Sequence, residues 1–151
     1  MIRILFVCFC NICRSSAAEY IMRDLLEKEG LNDLVVVESR GTSSEELGNP
    51  MYPPMKRILD SKGIDSRFHR ARQIDRRDYD RFDLILGMDR YNMSSLNRLF
   101  NDKDNKIKLL PTYAGLSCID DPWYTREFER AYDEIEKSCK GLLKEIKEKL
   151  L

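Results

Sequence analysis

The chain has 151 residues with 26 basic and 26 acidic side chains, so its length fits one domain and its balanced charge offers no basic field for nucleic acid. Its apolar runs are far shorter than the roughly 18 residues that a membrane span needs, and the residues after Met1 read as a strand, so neither a membrane segment nor a signal peptide is expected. Five cysteines, with three in one short loop, indicate a reducing compartment and predict a cytoplasmic protein.

Short apolar strands alternate with helical patterns along the chain. In order, the pattern predicts a strand over residues 2–6, a helix from about Ser16 to Gly30, a strand over 34–38, a loop over 41–54 leading to a helix that ends near Gly63, a strand over 84–86, a helix from near Asp89, a strand over 107–110 and a last helix over 128–150. Ser16 and Glu19 have the spacing of a capping box. The alternation favours an α/β fold, with one domain over residues 1–151 built as a three-layer sandwich: a central four-stranded parallel sheet flanked by helices.

The loop between the first strand and the first helix contains Cys8 and, six positions later, Arg14. In open parallel sheets, ligands bind beyond the carboxyl ends of the strands, which is where this loop falls. The free N–H groups of the helix start, the helix dipole and the guanidinium all stabilise negative charge, first on a thiolate and then on an anion. A planar guanidinium can hold two phosphoryl oxygens, and the Ser15 hydroxyl can donate to the sulfur. The loop is therefore predicted to bind phosphate and to use Cys8 as a nucleophile.

Two simpler interpretations of the loop cysteines remain open. Cys8, Cys10 and Cys13 have the short spacing of zinc or iron–sulfur ligands, or they are buried thiols at a strand end. A fourth ligand is missing nearby, because the other two cysteines and the single histidine lie far along the chain. Arg14 would also repel a cation, and simple packing does not call for it. We therefore expect no metal site.

Two segments near opposite ends of the chain carry a family resemblance. One is Cys8, five further residues, Arg14 and Ser15, and the other is the run Asp121-Pro122-Trp123-Tyr124. Together they resemble the low-molecular-weight protein tyrosine phosphatases, whose signature is a cysteine, five residues, an arginine and a serine, with an Asp-Pro and aromatic pair near the C-terminus. Further matching positions extend the resemblance over nearly the whole chain: Ser39, Gly41, Thr42, residues 69–73 and 83–86, Met88, Asp89 and Asn92.

The resemblance implies a protein tyrosine phosphatase that hydrolyses phosphotyrosine and small aryl phosphates through a cysteinyl-phosphate intermediate. In this reaction Cys8 attacks phosphorus, Arg14 holds the transferred group, and Asp121 protonates the leaving oxygen and then activates water. Asp120 is an alternative acid by proximity, but Asp121 directly precedes Pro122 as in the family. The expected partners are phosphotyrosine-containing proteins, with no nucleic acid, membrane, cofactor or metal, and we expect a monomer or weak dimer.

Other site residues follow from the same resemblance, position by position. Ser39, His69 and Asp89 match positions that support the loop from behind, so His69 is not expected to be a general base. Trp123 and Tyr124 are expected to line a deep cleft that favours a long aryl phosphate, although simple core packing would give the same sequence. The residues expected to contact substrate or phosphate are Phe9, Cys10, Asn11, Ile12, Cys13, Ser15, Glu45, Trp123 and Tyr124, and Asn11 is further expected to hold an unusual backbone conformation.

Three positions depart from the family pattern. Cys10 replaces the usual glycine, so its side chain is expected to strain the loop or crowd the phosphate. Ser16 replaces a proline, which is a mild change because serine is a good helix cap. Glu45 replaces an aromatic residue and makes the cleft entrance more acidic, unless it is simply a solvated loop charge.

Three other functions compete with a tyrosine phosphatase. A protein-arginine phosphatase of the same family is favoured by the acidic wall at Glu45 and disfavoured by Ile12, where that subgroup tends to have threonine. A phosphotyrosine-binding module without turnover is expected if Cys10 disables the loop. An arsenate reductase would need relay cysteines in the middle of the chain, where none occurs. The resemblance also implies that Cys13 can form a reversible disulfide with Cys8, which predicts a redox-sensitive protein.

Overall fold

A sheet of four parallel strands organises the computed structural model, which describes residues 1–150. The elements in chain order are β1 (Ile2–Cys8), α1 (Arg14–Lys28), β2 (Val35–Gly41), α2 (Pro53–Ser61), α3 (Asp78–Arg81), β3 (Leu84–Gly87), α4 (Arg90–Leu99), β4 (Ile107–Leu109), a 3₁₀ helix (Leu110–Ala114), α5 (Pro122–Thr125) and α6 (Phe128–Leu150). The strand order is β2-β1-β3-β4. The predicted α/β fold with a four-stranded parallel sheet flanked by helices is confirmed.

Strand β1 occupies the centre of the sheet because it is apolar on both faces. Residues 4–8 are all at most 1% exposed. The strand pairs with β2 as far as Cys8 opposite Gly41, and with β3 as far as Val7 opposite Gly87. Cys8 therefore ends β1 at the middle of the carboxyl edge of the sheet.

The two faces of β1 contribute to two separate hydrophobic cores. Ile4 and Phe6 belong to the larger core, together with buried side chains of α1, α2 and α6. Leu5 and Val7 belong to the smaller core, which includes Leu96 of α4. Successive strand residues point to opposite faces, so helices cover the sheet on both sides and form the outer layers of the sandwich.

Helix α6 packs on the larger core with one apolar stripe, as its residue spacing predicts. Its buried side chains are Ala131, Tyr132, Ile135, Ser138, Cys139, Leu142, Leu143 and Ile146. Phe128 is half-buried and packs against this core, whereas Leu150 is exposed, so the stripe ends before the predicted Leu150. A Cβ atom on Gly141 would lie 2.0 Å from the Tyr113 carbonyl oxygen, so only glycine permits this approach to the 3₁₀ helix. Across residues 1–150, no helix is long and apolar enough to cross a membrane.

The start of α1 differs from the sequence prediction. The helix begins at Arg14 with Cys13 as its cap, two residues before the predicted start, and no side chain caps it. The predicted capping box is absent, because the Ser16 hydroxyl donates to the Cys13 carbonyl (3.1 Å) and Glu19 accepts from Ser39 (2.6 Å). A tertiary contact with β2 thus replaces the local pair.

Several short elements escaped the sequence prediction. Strand β2 continues to Gly41, three residues beyond its predicted end. The helices α3 and α5 were not predicted, and the 3₁₀ helix begins at Leu110, which was predicted as the last residue of a strand. Elements of four or five residues are too short to show a period, so the pattern gives no signal for them. The predicted helix start near Asp89 and the helix ends near Gly30 and Gly63 are confirmed.

Candidate active site

The residues that follow β1 wrap around the sulfur of Cys8. Asn11 has a left-handed backbone (φ 63°), and its N–H donates to Cys8 Sγ at 3.3 Å. The Ser15 hydroxyl lies 3.0 Å from the same sulfur, where it donates to a thiolate. The unusual conformation expected at Asn11 is therefore observed, and it turns a backbone donor towards the nucleophile.

The surroundings of Cys8 favour the thiolate. Burial by itself would raise the pKa of Cys8, but hydrogen bonding from the Cys10 thiol, the charge of Arg14 and the Ser15 hydroxyl together lower it to about 5. Burial raises the pKa of Cys13 and Cys139 above that of an ordinary thiol. At neutral pH Cys8 is therefore an anion, whereas those two cysteines remain protonated thiols.

Arg14 is held in place from two sides. Its Nη1 donates to Asp89 Oδ2 (2.7 Å) and to the Ile119 carbonyl (2.8 Å), and its Nη2 lies 3.5 Å from Asp121 Oδ2. Burial lowers the pKa of Arg14, but the Cys8 thiolate and the two carboxylates raise it overall, so the guanidinium stays charged although it is only 3% exposed. Asp89, which was expected to support the loop, contacts it through Arg14, and the contact of Arg14 with Asp121 was not predicted.

Asp121 and Asp120 have different surroundings. Asp121 caps helix α5 by accepting from the Trp123 N–H at 3.0 Å, lines the cleft, and presents its second oxygen to Arg14. Asp120 is exposed and accepts from the Cys118 thiol at 3.4 Å instead. Of the two candidate acids, Asp121 is the one beside the arginine.

Asn11, Ser39 and His69 form the support behind the loop. The Asn11 amide donates to Ser15 Oγ and to Ser39 Oγ, both at 2.9 Å. His69 Nε2 lies 2.6 Å from the Asn11 carbonyl, and since a carbonyl only accepts, Nε2 carries the proton. Burial lowers the pKa of His69. This geometry uses His69 to hold the loop rather than to remove a proton.

Gly41 allows β2 to approach the loop closely. A Cβ atom there would lie 2.9 Å from the Phe9 carbonyl oxygen and 3.2 Å from Asn11 Cβ. The next two residues donate backbone N–H groups to Cys8 O and Phe9 O, each at 2.9 Å. The backbone at the end of β2 thus supports the nucleophile loop, and a residue larger than glycine at position 41 would prevent this close approach.

Cys10 does not show the expected backbone strain. The left-handed conformation lies at Asn11, and the described non-glycine residues with positive φ do not include Cys10. The Cys10 side chain lines the cleft and is only partly exposed. A side chain therefore fits at this position, although it narrows the space above the loop.

A cleft of about 160 Å³ opens above the loop. Its lining includes the predicted residues Phe9, Cys10, Ile12, Cys13, Glu45, Asp121, Trp123 and Tyr124, and also Glu46, Tyr52 and Phe128. Trp123 is 51% and Tyr124 82% exposed, which excludes the core-packing interpretation of this pair. The last three lining residues were not predicted from the sequence. For Glu46 and Tyr52, their position in the 41–54 loop was the available signal.

Tyr52 connects the two sides of the cleft. Its ring packs against Trp123 at 5.4 Å and against Phe128 at 5.7 Å between ring centroids. Its backbone N–H donates to the Ile12 carbonyl at 2.8 Å, so the aromatic wall is attached directly to the nucleophile loop. The walls are apolar and aromatic, with the two neighbouring carboxylates Glu45 and Glu46 on the 41–54 loop.

Comparison with known proteins places these features in context. A family model described as low molecular weight phosphotyrosine protein phosphatase matches residues 3–151. The Bacillus subtilis low molecular weight protein-tyrosine-phosphatase YfkJ is 40% identical over 156 residues, covering 100% of each chain. Its crystal structure has a TM-score of 0.95 at 38% identity, covering 99% of this chain and 96% of that one.

Two further relatives bear on substrate choice. The low molecular weight phosphotyrosine protein phosphatase of Rattus norvegicus is 40% identical over 147 residues, covering 93% of this chain and 92% of the rat protein. A crystal structure of DARP, a Drosophila arginine phosphatase, has a TM-score of 0.87 at 31% identity, covering 95% of this chain and 97% of that one.

Proposed function

This chain belongs to the low molecular weight phosphotyrosine protein phosphatase family, and we propose that residues 1–151 form one domain that hydrolyses phosphotyrosine in proteins, and small aryl phosphates, through a phosphoryl group on Cys8. The observation that carries the proposal is the position of the Cys8 thiolate, within a loop whose Arg14 is fixed by Asp89 and lies beside Asp121.

In the first step the Cys8 sulfur attacks phosphorus, an S–P bond forms and the P–O bond to the tyrosine breaks. Asp121 gives its proton to the departing phenolate oxygen. Arg14 and the loop N–H groups hold the equatorial oxygens, where charge is spread in the transition state. The loop is already folded around the Cys8 thiolate, so little reorganisation is needed when phosphate arrives.

In the second step water attacks the phosphocysteine. Asp121, now ionised, takes a proton from the water, the S–P bond breaks, and inorganic phosphate and the Cys8 thiolate are released. The Ser15 hydroxyl, 3.0 Å from the sulfur, stabilises the departing thiolate. The low pKa of Cys8 makes the sulfur a good leaving group as well as an anion ready to attack.

The cleft favours a long aryl phosphate. Cys8 is only 1% exposed beneath the loop, while Trp123, Tyr124 and Tyr52 rise above it. A phenyl ring can pack against these aromatic side chains and bring its phosphate to the sulfur. A phosphoserine side chain is too short to do so, so the depth of the site selects the substrate class.

Arginine phosphatase activity is the second candidate. Glu45 and Glu46 both line the cleft, and an acidic wall can pair with a phosphorylated guanidinium. The apolar Ile12 of the nucleophile loop also lines the cleft and instead suits a phenyl ring. The likeness to the Drosophila arginine phosphatase supports this alternative, because a protein of the same fold carries that name.

Peptides of one sequence that contain phosphotyrosine, phosphoserine or phosphoarginine test the choice. We expect phosphotyrosine to be hydrolysed about 100-fold faster than phosphoserine, because only the longer side chain reaches Cys8. Initial rates of phosphate release, measured with EDTA and fresh reductant, give the comparison. A faster rate on phosphoarginine, reduced by Glu45→Gln while the phosphotyrosine rate is unchanged, would instead assign an arginine phosphatase.

We propose that the site is redox-sensitive through Cys13. Hydrogen peroxide oxidises the Cys8 thiolate to a sulfenic acid with release of hydroxide. The Cys13 sulfur then attacks the Cys8 sulfur, the S–O bond breaks, and the oxygen leaves as water with the thiol proton, which gives a Cys8–Cys13 disulfide. Treatment with peroxide should abolish activity, and dithiothreitol should restore it. In Cys13→Ala the loss should become irreversible, because Cys8 is oxidised further. Full recovery in that variant, lost only when Cys10→Ala is added, would assign the resolving role to Cys10.

The remaining proposals concern the location, the oligomeric state and the partners of the protein. We propose a cytoplasmic enzyme that acts as a monomer or weak dimer on phosphotyrosine proteins and has no nucleic-acid partner. The balance of 26 basic and 26 acidic residues and the five cysteines support this proposal.

A further inference from the structure

A continuous chain of hydrogen bonds leads from the Cys8 sulfur to a buried carboxylate on helix α1. Ser15 Oγ lies 3.0 Å from the sulfur, and the Asn11 amide donates both to Ser15 Oγ and to Ser39 Oγ at 2.9 Å. The Ser39 hydroxyl in turn donates to Glu19 Oε1 at 2.6 Å. All the members of this chain behind the sulfur are at most 6% exposed.

The direction of these bonds is set at the Glu19 end. A carboxylate only accepts, so the single hydrogen of the Ser39 hydroxyl is committed to Glu19. Ser39 Oγ is then free to accept from Asn11, and the Asn11 amide group faces both serines. Since Ser15 Oγ accepts the second amide hydrogen, the Ser15 hydroxyl hydrogen is available for Cys8.

The alternative arrangement explains why this order matters. If Ser39 instead donated to Asn11, the Asn11 amide would turn its oxygen towards both serines, and Ser15 would donate to that oxygen rather than to the thiolate. The turned amide would also lose the Arg72 N–H that donates to Asn11 Oδ1 at 2.9 Å. The Arg40 carbonyl, 3.4 Å from Ser15 Oγ, is a second competing acceptor for the Ser15 hydroxyl.

Glu19 has the partners of an ionised carboxylate. Arg23 lies 2.5 Å from its Oε2 on the same helix face, while Ser39 donates to its Oε1. Burial raises the pKa of Glu19 above its usual value overall, while the charge of Arg23 and the Ser39 hydrogen bond, which favour the ionised form, limit that rise. Every buried side-chain nitrogen or oxygen in the described residues has a hydrogen-bond partner, and this includes the members of the Glu19 network.

We propose that Glu19 is a positioning residue of the phosphatase reaction: by holding the Ser39 hydrogen, it orients Asn11 so that Ser15 donates to the Cys8 sulfur. This inference rests on the proposed function for its catalytic meaning. Glu19 touches neither substrate nor sulfur and acts only through the three intervening side chains.

The pH dependence of Cys8 alkylation by iodoacetate tests this role without a phosphate ester. The rate should rise with pH to a plateau as the thiolate forms, with a midpoint near the Cys8 pKa of about 5 in the native chain. In Glu19→Ala, which removes the acceptor of the Ser39 hydrogen, and in Ser39→Ala the midpoint should rise by about one unit, the size of one charge-assisted hydrogen bond. The double variant should show no further rise in the midpoint, because both substitutions interrupt the same series of hydrogen bonds.

Asp24→Ala is the matched control, because it also removes a carboxylate from α1, in the surface pair with Lys28 (2.8 Å). Its midpoint should equal the native one. An unchanged midpoint in folded Glu19→Ala, or additive shifts in the double variant, would overturn the proposal. If Glu19→Ala does not fold, as judged by its thermal transition, an unchanged midpoint in Ser39→Ala overturns it equally. Substrate tests can fail without affecting this readout, so the two proposals fail separately.

Discussion

Cys8→Ser should lower turnover of p-nitrophenyl phosphate by about 10⁴-fold or more while leaving phosphate binding in place. A serine hydroxyl stays protonated in the surroundings that make Cys8 a thiolate, so the attacking anion is lost. Arg14, the loop N–H groups and the fold remain, since the two side chains differ by one atom. Steady-state rates near pH 6 with EDTA and fresh reductant, together with calorimetric titration of inorganic phosphate, measure both parts of the expectation.

Cys13→Ser is the control for this substitution, because it changes a neighbouring thiol in the same loop. It should retain most of the native turnover under reductant. Substantial residual activity in Cys8→Ser would show that another group attacks phosphorus. If the native chain itself binds phosphate and shows no turnover, the site is a binding module, and the crowding by Cys10 becomes the explanation to test with Cys10→Gly.

Asp121→Asn should lower kcat for phosphotyrosine by about 10²–10⁴-fold, the usual contribution of a general acid. The amide oxygen can still accept from the Trp123 N–H, so the cap of α5 is retained while the transferable proton is lost. The loss should be smaller for p-nitrophenyl phosphate, because its leaving oxygen is stable without protonation. The ratio of the two kcat losses, measured for the same variant, separates acid catalysis from a general disturbance of the site.

Asp120→Asn provides the comparison at the adjacent residue. Asp120 is exposed and contacts Cys118 rather than Arg14, so its replacement should change kcat little for either substrate. Equal losses in the two variants would mean that the charge of this segment, and not a particular acid, supports the reaction. A larger loss in Asp120→Asn would move the acid to that residue.

The sequence was most informative where a local motif determined the chemistry. Cys8, Arg14 and Ser15 lie within eight consecutive residues, and their roles in binding an anion follow from a strand-to-helix turn. The four strands and the amphipathic α6 could be predicted because each has a clear apolar pattern. Such features are determined by interactions between residues that are close together in the sequence.

Features that depend on tertiary contacts were harder to predict from the sequence. The pair Ser16 and Glu19 has a capping-box spacing, yet Glu19 bonds to Ser39 because β2 lies beside α1 in the fold. Tyr52 and Phe128 are 76 positions apart, and only packing of α2 and α6 on the same core brings their rings together. Phe128 shows no local sign of lining a cleft, and the only signal for Tyr52 was its position in the 41–54 loop.

The central place of β1 has a consequence for when the nucleophile becomes reactive. β1 is made first, yet its neighbour β3 follows much later, and Arg3 donates to Asp83, 80 residues further along the chain. Parallel pairing over such separations has to await long crossovers. In the unfolded chain Asn11, Ser15 and Arg14 do not surround the sulfur, and an unperturbed thiol has a pKa of about 8.5. We therefore expect formation of the sheet to convert Cys8 from a mostly protonated thiol into the thiolate at neutral pH.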